Sequence, residues 1–428
     1  MMSRWHWMLS QLGRRLWVRV ALFVLLGIAT ALAGTLTDGV FPAALAERIQ
    51  RDTVADILKI LASSLLAVTT FSLGVMVSSY ASVTSNVTPR AAKLLMEDRT
   101  SQNVLATFIG AFLFSLVGLI ALGTETYGRD GRVSLFFITL LVLALVVLTL
   151  LRWIDHLARL GRVGETTRRV EAATWQALQQ RLASPCLGGD LAAHDFCPPA
   201  HAQPIHATQV GYVQHVDTAA LQQWAETHDS HLYVPAVPGT YVHPDQPLAW
   251  ILTPPAGQTS AAEAARSALR QAFTVADERT FEQDPRFGLA VLAEIAARAL
   301  SPAVNDPGTA IDVIGRQVRL LLLRAQHDES PGPEGAACPR VRLPALAIAD
   351  LFDDAFTAIA RDGAGSIEVV LRLVKGLRVL AHHGSPAFRQ AAQASLIAAV
   401  GRAEQALAWP GDRDRLHQVV GGGSGRHV

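Results

Sequence analysis

Lysine is nearly absent. Lys59, Lys93 and Lys375 are the only three in 428 residues, and arginine supplies the rest of a positive charge that balances to +1 overall. A near-neutral chain with no basic run interleaved with aromatics has little with which to neutralise a phosphate backbone, so nucleic acid is not an expected partner. Cysteine is equally scarce. Cys186, Cys197 and Cys338 form an odd set in the part of the chain expected in the cytosol, and they read as free thiols rather than a disulfide framework. The G-x-S-x-G elbow, the Walker loop, the dinucleotide G-x-G-x-x-G and H-E-x-x-H are all missing. Their absence leaves no catalytic residues to assign and no cofactor to expect, so the chain is not read as an enzyme.

What the chain has is apolar length. Half of it is hydrophobic and 17% is charged, with the apolar excess in the first 151 residues. Four runs, 20–36, 60–77, 104–123 and 133–151, are long enough to cross about 30 Å of hydrocarbon. None of the four contains an ionisable residue. Proton relays and ion-coupled carriers place such groups at depth despite their cost, so a proton-coupled transporter is disfavoured. A passive pore, or a bundle that only anchors and senses, survives. Ala31-Leu32-Ala33 resembles a signal-peptide cleavage site, but the segment before the first run is long and holds Arg4, Arg14, Arg15 and Arg19, so that run is expected to stay as an anchor. Arginine is denser before the first run, around Arg90 to Arg99 and after the fourth run than in the two intervening loops. That bias places both termini in the cytoplasm.

Within the second run Ser63, Ala67, Thr70, Gly74, Ser78, Ala81 and Ser85 recur at helical spacing. The third repeats the pattern with Thr107, Ala111, Ser115 and Gly118, and the first with Gly27, Ala31 and Gly34. Small residues on one face serve close helix packing; hydroxyls on one face can also line a narrow wet path. The two are compatible in a homo-oligomer. The candidate stripe is Ser63, Thr70, Gly74 and Ser78. The fourth run, nearly all Leu, Val and Phe, is expected to face lipid.

Beyond Trp153, expected to mark the membrane interface, the sequence predicts an amphipathic connecting helix over 152–185, with Gly161 and Gly164 as its weak points. A Pro- and Ala-rich linker over 186–207 holds Cys186, His194, Cys197, His201 and His206 at spacings that match no paired zinc motif, so no metal is assigned. Short strands over 208–253, with a type II turn at Pro238-Gly239, form a small β module. It resembles the hammerhead of biotinyl and lipoyl domains but lacks the lysine that a swinging arm needs. A helical cytoplasmic domain spans 259–409. Its start signals are the capping box Ser260-x-x-Glu263, Asp284-Pro285 opening a helix to Ala299, and Asp306-Pro307 opening another to about Arg324. Three more helices are expected near 346–361, 366–382 and 386–408, followed by a flexible tail over 410–428.

The densest polar stretch runs from Asp277 to Arg286, followed one helix later by Ser301, Asn305, Asp306 and Thr309. Arg279, Asp284, Arg286, Ser301, Asn305, Asp306 and Thr309 are therefore the candidate ligand-binding or structural motif. Asn305-Asp306-Pro307 puts a helix N-terminus where an anion could sit; equally, Asp306 caps its own helix and Asn305 makes the turn before it. Arg279, Arg286 and Arg298 would hold an acidic ligand or pair with neighbouring carboxylates.

Thr88-Pro89-Arg90 with Asp98, Gln102 and Gly110, and above all Asp284-Pro285-Arg286-Phe287-Gly288 leading to Arg298-Ala299-Leu300-Ser301-Pro302-Ala303-Val304-Asn305-Asp306-Pro307 and Thr309-Ala310, resemble the predicted bacterial membrane proteins grouped as domain of unknown function 2254. The likeness covers nearly the whole chain, with Val87 standing where an aromatic or Ser is usual. It implies the bacterial inner membrane and four spans followed by a cytoplasmic domain, and it carries no established activity. The expectation is a mainly α membrane protein, with a four-helix transmembrane domain and a cytoplasmic α+β domain. It would be embedded in the lipid bilayer as a homo-oligomer, acting as a channel gated by its cytoplasmic part. The alternative is a non-conducting sensor or scaffold whose soluble part binds a partner or an unknown small ligand.

Overall fold

The computed structural model describes residues 49–421 apart from 97, 125–128, 160, 194, 254–260 and 327–334, together with Ala21, Leu22, Leu25 and Ala29. The first expected span lies outside the described residues except at those four positions, and so do Ser260 of the expected capping box and the tail beyond Gly421. The chain divides into two compact units, Met1–Glu165 and Thr166–Val428.

The first unit is helical: α1 (Arg51–Asn86), α2 (Pro89–Met96), α3 (Arg99–Gly123) and α4 (Arg129–Arg159). Three stretches of it, Arg51–Thr84, Thr100–Gly123 and Gly131–Arg159, are long and apolar enough to cross a membrane. The turn between α1 and α3 is built from side-chain caps. The Thr88 hydroxyl accepts from Ala91 N (3.1 Å) to open α2 with Pro89 in first place, and Asp98 accepts from Ser101 N (2.9 Å) to open α3. The core joins Val54, Leu58, Leu61 and Leu65 of α1 to Phe108, Ala111 and Phe114 of α3 and to Leu135, Val142 and Val146 of α4. A Cβ at Gly118 would lie 3.1 Å from Leu58 Cδ1, so glycine sets how closely α1 and α3 approach.

Hydropathy understates α1. It begins nine residues before the expected span, at about 1.5 Å per residue, because Asp52, Asp56 and Lys59 stay exposed on its first turns and Arg51 reaches back to the Leu122 carbonyl at the end of α3. Trp153 is 1% exposed, inside the helix bundle, where its indole N–H donates to Ser72 Oγ at 2.8 Å.

The connecting helix expected over 152–185 is broken. α4 stops at Arg159, Gly161 sits at φ +82°, and α5 (Val163–Ala183) starts afresh. The left-handed backbone that glycine alone adopts freely is the reason.

The second unit carries eight strands among its described residues: β1 (Gly189–Leu191), β2 (Gln203–His206), β3 (Gly211–Val216), β4 (Leu232–Tyr233), β5 (Tyr241–Val242), β6 (Pro247–Ile251), β7 (Phe273–Ala276) and β8 (Cys338–Leu343). One sheet has the order β1-β8-β4-β6-β2, with β8 parallel to both neighbours and the remaining pairs antiparallel. The other is antiparallel, β5-β3-β7. Strands thus come from both sides of 208–253: β1 and β2 from the stretch expected as a linker, β7 and β8 from the stretch expected to be all helix. Between β3 and β4 lies α6 (Thr218–Thr227), capped by Asp217. Strands of two to six residues whose partners are far along the chain leave no alternation to read. Cys186 and Cys338 are buried in this core as free thiols, and burial pushes the Cys338 thiol up from its ordinary value. The turn at Pro238-Gly239 has Gly239 at φ +92° and closes through Thr240 N to Val237 O (3.0 Å).

The helices of this unit are α7 (Ala261–Gln271), α8 (Pro285–Ala299), α9 (Pro307–Ala325), α10 (Ile348–Asp362), α11 (Ile367–Leu380), α12 (Pro386–Ala406) and α13 (Pro410–Gly421). Phe352 and Phe356 of α10 meet Phe388 of α12 in their core; the Phe352 and Phe388 rings are 4.9 Å apart. α13 corrects the expectation of a flexible segment from residue 410. Buried Leu416 anchors it, and Arg378 donates to the Val419 carbonyl. A single apolar anchor in a polar, Gly-bounded stretch gives no periodic signal.

Candidate functional site

The direction in which the α1 stripe points follows from helix geometry. At about 100° per residue, Ser63, Ala67, Thr70 and Gly74 fall within about 35°, and Ser78 within about 55°, of the direction opposite to the seam of Val54, Leu58, Leu61, Leu65 and Ser72. Burial agrees: the seam is buried and the five stripe residues are exposed. A Cβ at Gly74 would meet nothing within 4 Å. Leu66, Phe71 and Val77 flank the stripe and are exposed as well, at 54%, 67% and 58%. Asp52 and Asp56 lie on the same line near the start of the helix, where Lys59 pairs with Asp56 at 3.1 Å. The Ser63 and Thr70 hydroxyls donate to the carbonyls of Ile60 (3.1 Å) and Leu66 (2.9 Å) in their own helix. They are satisfied without a partner and remain able to accept from water.

Further along α1, five side chains join three helices. Trp153 of α4 donates to Ser72 of α1, its ring stacks on His156 (centroids 5.5 Å apart), and His156 Nε2 lies 3.0 Å from Asp98 Oδ2 at the start of α3. Ser101 Oγ donates to the same carboxylate (2.8 Å) and lies 3.3 Å from the same ring nitrogen. Ser, His and Asp together invite comparison with a nucleophilic triad, but that relay needs the hydroxyl and the carboxylate on opposite imidazole nitrogens. Here both address Nε2. The arrangement is a structural joint, and neither its Trp–Ser nor its Asp–His contact is visible in the sequence, since the partners are 81 and 58 positions apart.

In the second unit, every residue of Asp284-Pro285-Arg286-Phe287-Gly288 has a packing task. Asp284 is 3% exposed, caps α8 through Phe287 N (3.1 Å), and takes Arg279 in a two-point contact at 2.8 and 3.0 Å. Burial raises its carboxyl above the ordinary range even though the Arg279 bonds pull the other way. Gly239 makes room for it, because a Cβ there would lie 2.4 Å from Asp284 Oδ2. Pro285 takes the first helical position. Arg286 bridges to Asp350 and Asp354 of α10, with Nε 2.6 Å from Asp354 Oδ2. Phe287 packs on Phe281 (4.7 Å) beneath the Arg279 guanidinium (5.2 Å). Gly288 faces Thr174 of α5, whose Oγ1 would be 2.0 Å from an added Cβ. Gly288→Ala is therefore expected to cost about 1–3 kcal/mol by overpacking, read as a lower unfolding midpoint of this unit in detergent.

The second half of the motif is at the other end of α8, about 22 Å away by helix rise. Ser301 Oγ donates to the Arg298 carbonyl (2.7 Å), and Asn305 takes a left-handed φ of +49°. The backbone N–H groups of Val304 and Asn305 go to the Ser301 carbonyl, and that of Asp306 goes to Ala299. Asp306 then accepts from Thr309 N (3.1 Å) and Thr309 Oγ1 (2.6 Å), bonds that hold its carboxyl below the ordinary value. The helix N-terminus that could have held an anion is filled by the chain's own carboxylate. Arg279, Asp284 and Arg286 thus come together, Ser301, Asn305, Asp306 and Thr309 come together, and the two groups stay apart.

An apolar cavity of about 340 Å³ lies between α1, α3 and α4, lined by Ile57, Leu61, Leu65, Phe108, Val146 and Leu150 with Ser64 as a polar group. A groove of about 280 Å³ between α10 and α12 has a Phe352 and Phe356 floor with Asp353 and Arg402 at its rim. Among the described residues no group of three His, Cys, Asp or Glu side chains could hold a metal ion.

The chain matches the family described as predicted membrane protein (DUF2254) over residues 13–379. It is similar to uncharacterized proteins of Mycobacterium tuberculosis and Mycobacterium bovis, each 31% identical over 251 residues that make up 57% of this chain and 47% of the relative. The chain spans about half the length of the curated relatives it matches. No solved structure matches it.

Proposed function

The chain belongs to the family of predicted membrane proteins called domain of unknown function 2254, and on that premise we propose that it is a homo-oligomeric channel of the bacterial inner membrane. The run at 20–36 supplies a fourth span, both termini lie in the cytoplasm, and the α1 stripes of several copies face one another around a narrow path. The soluble unit gates it. One observation carries this reading: the small and hydroxyl face of α1 is turned directly away from the packing of its own unit. Small faces let helices of neighbouring copies approach closely, and three or four spans per chain are too few to enclose a path alone. With no charged side chain at depth, flow would be passive, and Asp52 and Asp56 at the end of the stripe would favour cations over anions. Purified protein in planar bilayers should pass a cation-preferring current. Silence across several salts and voltages would reject the reading.

A second reading, a non-conducting sensor or scaffold, is favoured by the hydroxyl bonding of the stripe. Ser63 and Thr70 already donate to their own helix, so the face can pack dry against a neighbouring copy. Thr70→Cys separates the two readings. A charged thiol reagent reaches it in a wet path and not in a dry seam.

A further inference from the structure

We propose that α12 is a contact between two copies of this chain, packed antiparallel across a two-fold axis at Ile397. The helix is apolar on two opposite sides. Phe388, Ala392, Leu396, Ala399 and Ala403 form its buried seam. At about 100° per residue, Gln390, Ala394, Ile397, Ala398 and Gly401 fall within about 60° of the direction opposite to that seam. Gly401 is half-buried and the other four are exposed, Ile397 at 64%. A solvent-facing side normally carries charge, yet this one has none between Arg389 and Glu404, and a helix apolar all round is one that is covered all round. Ala394, Ala398 and Gly401 are small enough for a second helix to come close, and a Cβ at Gly401 would meet nothing within 4 Å. The charges select a second copy as the occupant. Arg389, on the flank of this side, precedes Ile397 by eight residues, and Glu404 follows it by seven. In an antiparallel pair centred on Ile397, each Arg389 comes level with Glu404 of the other copy, whereas a parallel pair would set like charges side by side. Both side chains are exposed; Glu404 meets His417 at 3.1 Å and Arg389 donates to the Gly384 carbonyl at 2.6 Å. A contact of this kind joins copies two at a time. The inference rests on the proposed homo-oligomer and adds that its number of copies is even.

The test is disulfide formation between copies of the full-length protein in native membranes, with exposed Cys197 replaced by Ser. On mild oxidation Ile397→Cys should give a dimer fraction several-fold above that of Lys375→Cys, an exposed position on α11. Arg389→Cys alone should give little, because its counterpart in the second copy lies about 24 Å away by helix rise. Arg389→Cys combined with Glu404→Cys in one chain should restore the dimer. Gly401→Trp, whose bulk enters open space in its own chain, should remove the Ile397→Cys dimer. Monomer from Ile397→Cys beside dimer from Gly74→Cys on α1 would overturn the α12 contact and leave the oligomer standing. Dimer from Arg389→Cys alone as strong as from the double variant would overturn the antiparallel register. Monomer from both Ile397→Cys and Gly74→Cys would reject the contact and the homo-oligomer together.

Discussion

Asp284→Ala should lower the unfolding free energy of the second unit by about 3–5 kcal/mol, the cost of leaving one member of a buried ion pair alone. Three tasks disappear together: the cap on α8, the two-point hold on Arg279 and the filling of the space beside Gly239. Asp284→Asn keeps the cap and the volume and should lose less. The two also differ in pH dependence. Burial holds the native carboxyl above its unfolded value of 3.8, so the native state binds the proton more tightly. The resulting contribution to stability is fully present below that value and fades as pH rises through the raised native one. Urea unfolding of this transition from pH 4 to 7 should show that downward component in the wild type and not in Asp284→Asn. A loss under about 1 kcal/mol for Asp284→Ala would mean the site relaxes into water and is no keystone.

Thr70→Trp should abolish current, and Ser78→Leu should reduce it, while both variants stay assembled. The argument is steric. Thr70 and Ser78 are exposed on the face of α1 opposite its buried seam, so a large side chain at either projects into the proposed path without entering the unit's own core. Chemical cross-linking in detergent checks assembly, and bilayer recording checks conduction. Wild-type currents in Thr70→Trp would place any path elsewhere; loss of assembly would make the face a dry contact and favour the scaffold reading.

Elements whose signal is local are legible in the sequence. Asp284-Pro285, Asp306-Pro307 and Ser385-Pro386 each open a helix, since a capping side chain and a proline act within three residues. The turn at Gly239 and the apolar lengths of α1, α3 and α4 are local in the same sense. The strands β1 and β8 are not. They pair across more than 140 positions, and their register comes from a partner that no window contains. Charge patterning misled at Arg279 and Arg286 only in leaving their partners open; Asp350 and Asp354 are 64 and 68 positions from Arg286 and meet it through the packing of α8 on α10. Gly161 was readable as a weak point of a helix, but a complete break required its sign of φ. The position of Trp153 at the end of an apolar run is local, but the serine that satisfies its N–H is 81 positions away and lies in no window of sequence.

The outward face of α1 is the feature on which the functional proposal stands, and disulfide cross-linking between copies tests it most directly. With Cys197 replaced by Ser, Gly74→Cys should form a dimer on mild oxidation in native membranes, and Leu65→Cys on the buried seam should not. Dimers from Leu65→Cys and none from Gly74→Cys would contradict the assignment of the α1 stripe as the meeting face.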